Sequence, residues 1–179
     1  MQFDIGTRLN DEDLKRKLER AIRRGHDFTP ALEEIGEQMV ASITTNFLVG
    51  GRPEKWPPLS LATLFARVGG VKRAFKAKFH KRREYSVDGL KERARSVMTA
   101  AKPLIDTGRL MKSITYKLRG RHGVAVGTNV VYGAIHQFGG KAGRGHSVTI
   151  PARPFLVVQD EDLQEIGEIL KRHIAEALA

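Results

Sequence analysis

The stretch GTNVVYGAIHQFGG, residues 127–140, holds the side chains that most resemble a reactive site. It places His136 next to Gln137 and four residues after Tyr132. A histidine acts as a general base when a carboxylate orients it and a nucleophile lies within hydrogen-bond reach. The stretch contains no Asp, Glu or Ser. The sequence therefore predicts that His136 fixes a corner of the fold or contacts another subunit, and that it is not catalytic.

The other reactive side chains lack the spacing of a catalytic or metal motif. None of the six histidines pairs with another at i, i+4, and no serine lies in a G-x-S-x-G turn. Asp106 is the only acid between Arg93 and Asp160, so metal-assisted phosphodiester cleavage has few carboxylates to use. The absence of cysteine excludes disulfides and thiolate ligands. We predict no catalytic residue, no metal site, no cofactor and no enzymatic activity.

Charge is distributed unevenly along the chain, whose net charge is +11. Residues 67–95 carry eleven Lys or Arg against three acids, whereas residues 160–179 carry six acids against two basic residues. Segments of opposite charge can attract different partners or copies of the same chain. We interpret residues 67–86 as a basic arm or flexible insertion that meets either nucleic acid or an acidic protein. The candidate contact residues of this arm are Lys72, Arg73, Lys76, Lys78, Lys81, Arg82 and Arg83.

The sequence pattern of residues 1–101 predicts mainly helices. A short strand at 2–6 precedes a helix capped at Asn10 and ended by Gly25, with Leu14, Leu18 and Ile22 on one stripe. Thr29 is the predicted cap of a second helix, and Trp56 anchors the proline-rich turn that follows it. Ser60 caps a short third helix, and a fourth covers residues 87–101. The buried stripe of the second helix comprises Leu32, Ile35, Met39, Ile43 and Phe47.

The remaining residues predict a small antiparallel sheet and a last helix. Ile114, Tyr116 and Leu118 alternate on one strand, RGRHG forms a hairpin turn, and Val124 begins the return strand. Residues 139–145 are a predicted glycine-rich loop before a third strand, SVTI. The predicted fold class is α+β, with N-terminal helices packed on a small antiparallel sheet, a closing C-terminal helix and a basic protruding arm. We predict one domain over 1–179. The apolar residues of the last helix are Leu163, Ile166, Leu170, Ile174 and Leu178.

Four motifs occur in an ordered succession: NFLVGGRPEKWPPLSLAT, LIDTGRLMKSI, VAVGTNVVYGAIHQFGG and IPARPFLVVQDED. Over roughly residues 30–165 this order resembles the phage virion morphogenesis family, which includes the Mu-like G proteins and the P2-like tail completion proteins S. The insertion at 67–86 departs from the simplest members. The resemblance implies a structural role at the head-proximal end of the tail, without catalysis. It also implies rings, often hexameric, that contact tail tube and head-neck proteins.

The resemblance implies a location in the host cytoplasm during assembly and then in the virion neck. The N-terminus lacks the pattern of a secretion signal, and no apolar run reaches the roughly 18 residues of a membrane span, so we expect no membrane contact. The alternative function is a basic nucleic-acid-binding module that contacts the phage genome or the head interior. Our candidate interface residues are Trp56, Arg109, Tyr132, His136, Gln137, Arg153 and Phe155.

Several of these residues have a structural interpretation beside the interface one. In DTGRL, Gly108 supplies a turn conformation that other residues resist, and we favour this over a contact through Arg109. Trp56 is expected to pack its loop onto the second helix, and Phe155 to lie in the core. Arg153 is expected to be free for a carboxylate or a subunit contact. Tyr132, Ile135 and Phe138 have the spacing of one buried side of a short helix.

Overall fold

A computed structural model of the chain describes residues 12–23, 26–77 and 87–178. Some predictions fall outside these ranges: the strand at 2–6, the cap at Asn10, the stop at Gly25 and the arm cations Lys78, Lys81, Arg82 and Arg83. The helices are α1 Glu12–Arg23, α2 Thr29–Val49, α3 Leu61–Val68, α4 Val71–Ala74, α5 Glu92–Ala100, α6 Arg109–Lys112, α7 Gly133–Phe138 and α8 Asp160–Leu178. The strands are β1 Thr115–Leu118, β2 Val124–Gly127, β3 Gly140–Ala142 and β4 Val148–Ile150, and 3-10 turns cover Val87–Gly89 and Arg144–His146.

Helix α2 is the central element, and its predicted apolar stripe is buried throughout. The predicted cap is wrong by one residue, because Phe28 occupies the N-cap position and Thr29 already belongs to the helix. Asp27 supplies the capping acceptor instead: its Oδ1 accepts from the Thr29 backbone N–H at 3.0 Å and from the Thr29 hydroxyl at 2.7 Å. The helix ends at Gly50, where φ is +80°, a left-handed conformation that glycine adopts without strain.

Two elements pack on α2, the β1–β2 hairpin and α8, and α1 packs in turn on α8. The hairpin is antiparallel and pairs Tyr116 with Val126. Its inner face lies so close to α2 that a Cβ added at Gly36 would stand 2.5 Å from Cδ2 of Tyr116. On α8, Ile166 and Ile174 are buried as predicted. On α1, Ala21 is buried, whereas Ile22, predicted on the apolar stripe, is exposed.

The strands form two separate two-stranded sheets. The prediction that SVTI adds a third strand to one sheet is wrong: among the described strands β4 pairs with β3, and the predicted loop at 139–145 contains that partner strand. At Gly139 the chain passes very close to the segment after β4, and a Cβ there would stand 2.9 Å from the Ala152 backbone nitrogen. This approach, which glycine permits, brings β3 alongside β4. The α+β class is confirmed.

Helices α3, α4 and α5 enclose a second, smaller core. Ala74, Phe75 and Ala94 are buried in it, with Phe65 and Leu90 partly buried against them. Phe75 forms an antiparallel bridge with Leu90, and the Lys76 N–H donates to the Gly89 carbonyl at 2.9 Å. Because the apolar Phe75 pairs with Leu90, residues 67–77 of the predicted arm belong to the folded structure. The helix predicted from residue 87 begins at Glu92, after the bridge.

Candidate assembly surface

Gln137 ties α7 to the PARPF segment, residues 151–155. Its Oε1 accepts from the backbone N–H groups of Phe155 at 2.9 Å and Leu156 at 3.0 Å, and its Nε2 donates to the Leu156 carbonyl at 3.2 Å. The amide is buried, and it satisfies backbone groups that have no strand partner. Gln137, a candidate interface residue, therefore uses its side-chain amide for hydrogen bonds within the chain.

The buried side of α7 differs from the prediction. Tyr132 and Phe138 are exposed, the latter by 66%, and the buried positions are Gly133 and Gln137. A Cβ at Gly133 would stand 3.0 Å from Cγ2 of Thr128, so the missing side chain lets the helix sit close to the core. The prediction made from apolar spacing is wrong here because a glycine and a hydrogen-bonded amide, rather than apolar side chains, face inward.

The other end of the PARPF segment is held by the proline-rich turn. Trp56 is buried as predicted, and its Nε1–H donates to the Pro154 carbonyl at 2.9 Å. Arg153 donates from Nε to the Pro57 carbonyl and from Nη2 to the Pro58 carbonyl, both at 2.9 Å. The expectation that Arg153 is free for a carboxylate is therefore wrong. Burial lowers the pKa of its guanidinium from the usual value.

The end of α2 completes the same network, which we call the junction. Asn46 is buried, and its Nδ2 donates to the Phe155 carbonyl at 3.1 Å. The Phe155 ring is fully buried and lies 5.3 Å from the Phe47 ring, between centroids. Phe155 lies in the core as predicted. The junction thus joins α2, the proline-rich turn, α7 and the segment that leads into α8.

Arg109, Tyr132, His136 and Arg153 line one cleft of about 780 Å³. The sequence placed these four residues in an interface without indicating that they meet. Gly108, with φ +77°, turns the chain so that Arg109 begins α6 at the cleft, as the structural interpretation of DTGRL predicts. The cleft is also lined by Ser60 and Thr63 at the start of α3 and by Thr149 of β4.

His136 lies half-buried in this cleft. Its ring stacks edge-on against Tyr132, with centroids 5.9 Å apart. Burial, and then the nearby Arg153 charge, lower the pKa of the imidazole, so it is neutral at pH 7. Within the described ranges its Nδ1 has no hydrogen-bond partner, and Asp106, a carboxylate of the cleft, pairs instead with Arg67 at 3.6 Å. Among the described residues, no carboxylate orients the imidazole of His136.

The outer face of the β1–β2 hairpin is a second candidate surface, which the sequence reasoning missed. Lys117 and Arg119 point away from α2 and line a groove of about 630 Å³. At the groove, Val131 is 94% exposed and Phe138 is 66% exposed. The signal was present in β1, where polar residues alternate with Tyr116 and Leu118.

Outside the cleft and the hairpin face, exposed cations lie near α4. Lys72, Arg73 and Lys76 are exposed on or just after α4. Over residues 12–23, 26–77 and 87–178, no group of three or more His, Asp or Glu side chains is arranged to hold a metal ion. None of the described helices is both long enough and apolar enough to cross a bilayer.

The chain belongs to the phage virion morphogenesis family, which it matches over residues 83–175. It is 35% identical over 159 residues to the Mu-like prophage FluMu G protein 2 of Haemophilus influenzae, an alignment that covers 89% of this chain and 87% of that protein. No solved structure matches the chain. The resemblance predicted from the four motifs is therefore confirmed. The chain is a structural morphogenesis protein associated with the phage virion.

Proposed function

We propose that the protein completes the tail of a phage or prophage particle and joins it to the head, as a ring assembled from copies of itself. The observation that carries this proposal is the family match over residues 83–175, which includes the hairpin, α7, the PARPF segment and most of α8. The similarity to a Mu-like prophage G protein supports it over most of the chain. Tail tube and head-neck proteins are the proposed partners, and the role needs no cofactor.

The geometry supports an assembly role because the side chains that stabilise the fold differ from those that are exposed at the surface. At the junction, the polar groups of Gln137 and Arg153 form hydrogen bonds within the subunit, so these residues stabilise the fold. Exposed apolar side chains such as Val131 remain at the surface, where a neighbouring protein would cover them. Arg109, Tyr132 and His136 stay candidate interface residues, since they line an open cleft.

The test is a prophage in which the reading frame is deleted and the lysate is viewed by electron microscopy. We expect full heads and unjoined tails, with joining restored by the wild-type gene on a plasmid. Restoration should fail with Val131→Asp and succeed with Leu61→Asp, a matched change at another exposed apolar position. Tails of normal length that join heads efficiently without the gene would contradict the proposal.

A second function, nucleic-acid binding, is favoured by the exposed cations Lys72, Arg73 and Lys76. Cations that neutralise phosphates release counterions, so binding weakens steeply as salt rises. Under this function, reversing all three charges to Glu would lower DNA affinity and flatten its salt dependence. The matched control reverses Lys15, Arg16 and Lys17 on α1, which are also exposed. Equal binding by both triple variants would remove this function.

A further inference from the structure

We propose that copies of the chain join head to tail, with the basic outer face of the β1–β2 hairpin of one copy against the acidic N-terminal half of α8 of the next. The inference rests on the self-association in the proposed function and names the two surfaces that would carry it. It concerns residues other than the interface candidates predicted from the sequence.

The basic surface is the hairpin face that points away from α2. Lys117 and Arg119 alternate along β1 and its continuation, so both side chains lie on this face, and both are exposed. Arg121 and His122 at the tip are exposed as well. Among the described residues, no carboxylate lies within ion-pair distance of Lys117 or Arg119. Lys117 and Arg119 therefore present positive charge that no described carboxylate pairs with.

The acidic surface is formed by the exposed residues in the first half of α8. Glu161, Glu165 and Glu168 follow at spacings of four and three, which places them on one side of the helix. Asp160 and Gln164 are exposed beside them. Glu161 pairs with Arg52 at 3.0 Å and Glu168 with Lys171 at 2.8 Å, while no described cation pairs with Glu165. The net charge of this surface is negative.

The two surfaces belong to different elements, each of which packs on α2. The hairpin packs on α2 through the contact of Tyr116 with Gly36, whereas α8 packs on it through Ile166 and Ile174 and the Arg172–Glu34 pair. Within the described residues of one copy, no ion pair joins the two surfaces. They can meet between copies in a heterologous contact, which generates a ring when the rotation closes.

Each charged surface also has exposed apolar residues near it. Val131 and Phe138 lie at the groove beside the hairpin. Leu48 and Val49 are exposed in the last turn of α2, the end at which Arg52 links Ser42 to Glu161. Burial of apolar side chains supplies affinity, while complementary charge sets orientation and excludes wrong pairings. A second copy offers both complements, which is why we commit to it as the occupant.

The test is a charge exchange read out by sedimentation velocity over a range of protein concentrations. Lys117→Glu with Arg119→Glu makes both surfaces acidic, and Glu165→Lys with Glu168→Lys makes both basic. We expect each double variant to raise the dissociation constant by about tenfold or more and to sediment at the 19.9 kDa monomer mass where the wild type is assembled. The chain with all four changes has complementary surfaces again and should assemble as the wild type does.

Matched controls reverse exposed charges elsewhere: Lys91→Glu with Arg93→Glu on and before α5, and Glu12→Lys with Glu19→Lys on α1. These should assemble normally, and unchanged urea midpoints should show that every variant folds. The inference is overturned if either double variant assembles as the wild type does, or if the fourfold variant fails to assemble. Neither result contradicts the proposed function. A wild type that stays monomeric at all concentrations contradicts both. Reversal at Lys117 and Arg119 that weakens only DNA binding would assign the face to nucleic acid and overturn the inference.

Discussion

The junction and the outer face of the hairpin are opposite in character. At the junction, the buried polar groups of Gln137 and Asn46 are hydrogen-bonded to backbone atoms more than fifteen residues away. On the hairpin, Lys117 and Arg119 are exposed and have no described carboxylate as an ion-pair partner. A polar side chain with all its bonds inside the subunit stabilises the fold, whereas an unpaired exposed charge is available to a partner.

The largest expected effect comes from breaking the junction with Gln137→Leu. This change leaves two backbone N–H groups and one carbonyl without their partner, and a buried unpaired group costs about 1–3 kcal/mol. We expect a loss of about 3 kcal/mol or more in the free energy of unfolding, measured by urea denaturation. Gln164→Leu, at an exposed position of α8, is the control and should change it by less than about 0.5 kcal/mol. Equal midpoints for the two variants would show that the junction is not what holds the fold.

Phe75→Ala should sharpen the distinction between the two cores. Phe75 is 2% exposed and packs against Phe65, with ring centroids 5.7 Å apart, and burying a phenylalanine is worth about 3 kcal/mol or more. Because the second core is small, we expect α3, α4 and α5 to lose amide-exchange protection while α2 and α8 keep theirs. Phe138→Ala, at an exposed ring, should leave protection unchanged. Equal loss in α2 would mean that the two cores unfold together.

Gly36→Ala tests the close approach of the hairpin to α2. The added methyl would stand 2.5–2.6 Å from the Tyr116 ring, and overpacking costs about 1–3 kcal/mol, offset by up to about 1 kcal/mol of helix propensity. We expect a net loss of about 1–2 kcal/mol by urea denaturation. Gly127→Ala, where the new methyl meets open space, should be nearly neutral. A stabilised Gly36→Ala variant would show that the ring moves aside freely.

The smallest expected effect is the pH dependence that His136 contributes. Burial lowers its pKa below the ordinary 6.5, so the unfolded chain binds a proton at a higher pH than the folded one does. The stability it contributes is complete above about pH 6.5 and is lost as pH falls from there through the lowered pKa. Unfolding measured at several pH values should show a shallower fall for His136→Gln than for the wild type. His122→Gln, at an exposed site, should follow the wild type, and an unchanged profile in His136→Gln would contradict the assignment.

The sequence predicted best where local periodicity decides the structure. The stripe of α2 was correct because a 21-residue helix repeats its apolar spacing several times. The six residues of α7 gave no such repetition, and the buried role of Gln137 depends on Phe155 and Leu156, which no local pattern reveals. Phe75 was assigned to an arm because basic residues surround it, yet its partner Leu90 lies fifteen residues on. Arg109 and His136 likewise line the same cleft only because the fold brings them together.

The most direct test of the account is amide hydrogen exchange on the wild-type protein, compared between dilute and concentrated solution. We expect assembly to add protection to the hairpin, residues 115–127, and to residues 160–168, and to leave the protection of the junction unchanged. Protection that increases only in α3 to α5, or at neither of the two charged surfaces, would contradict it.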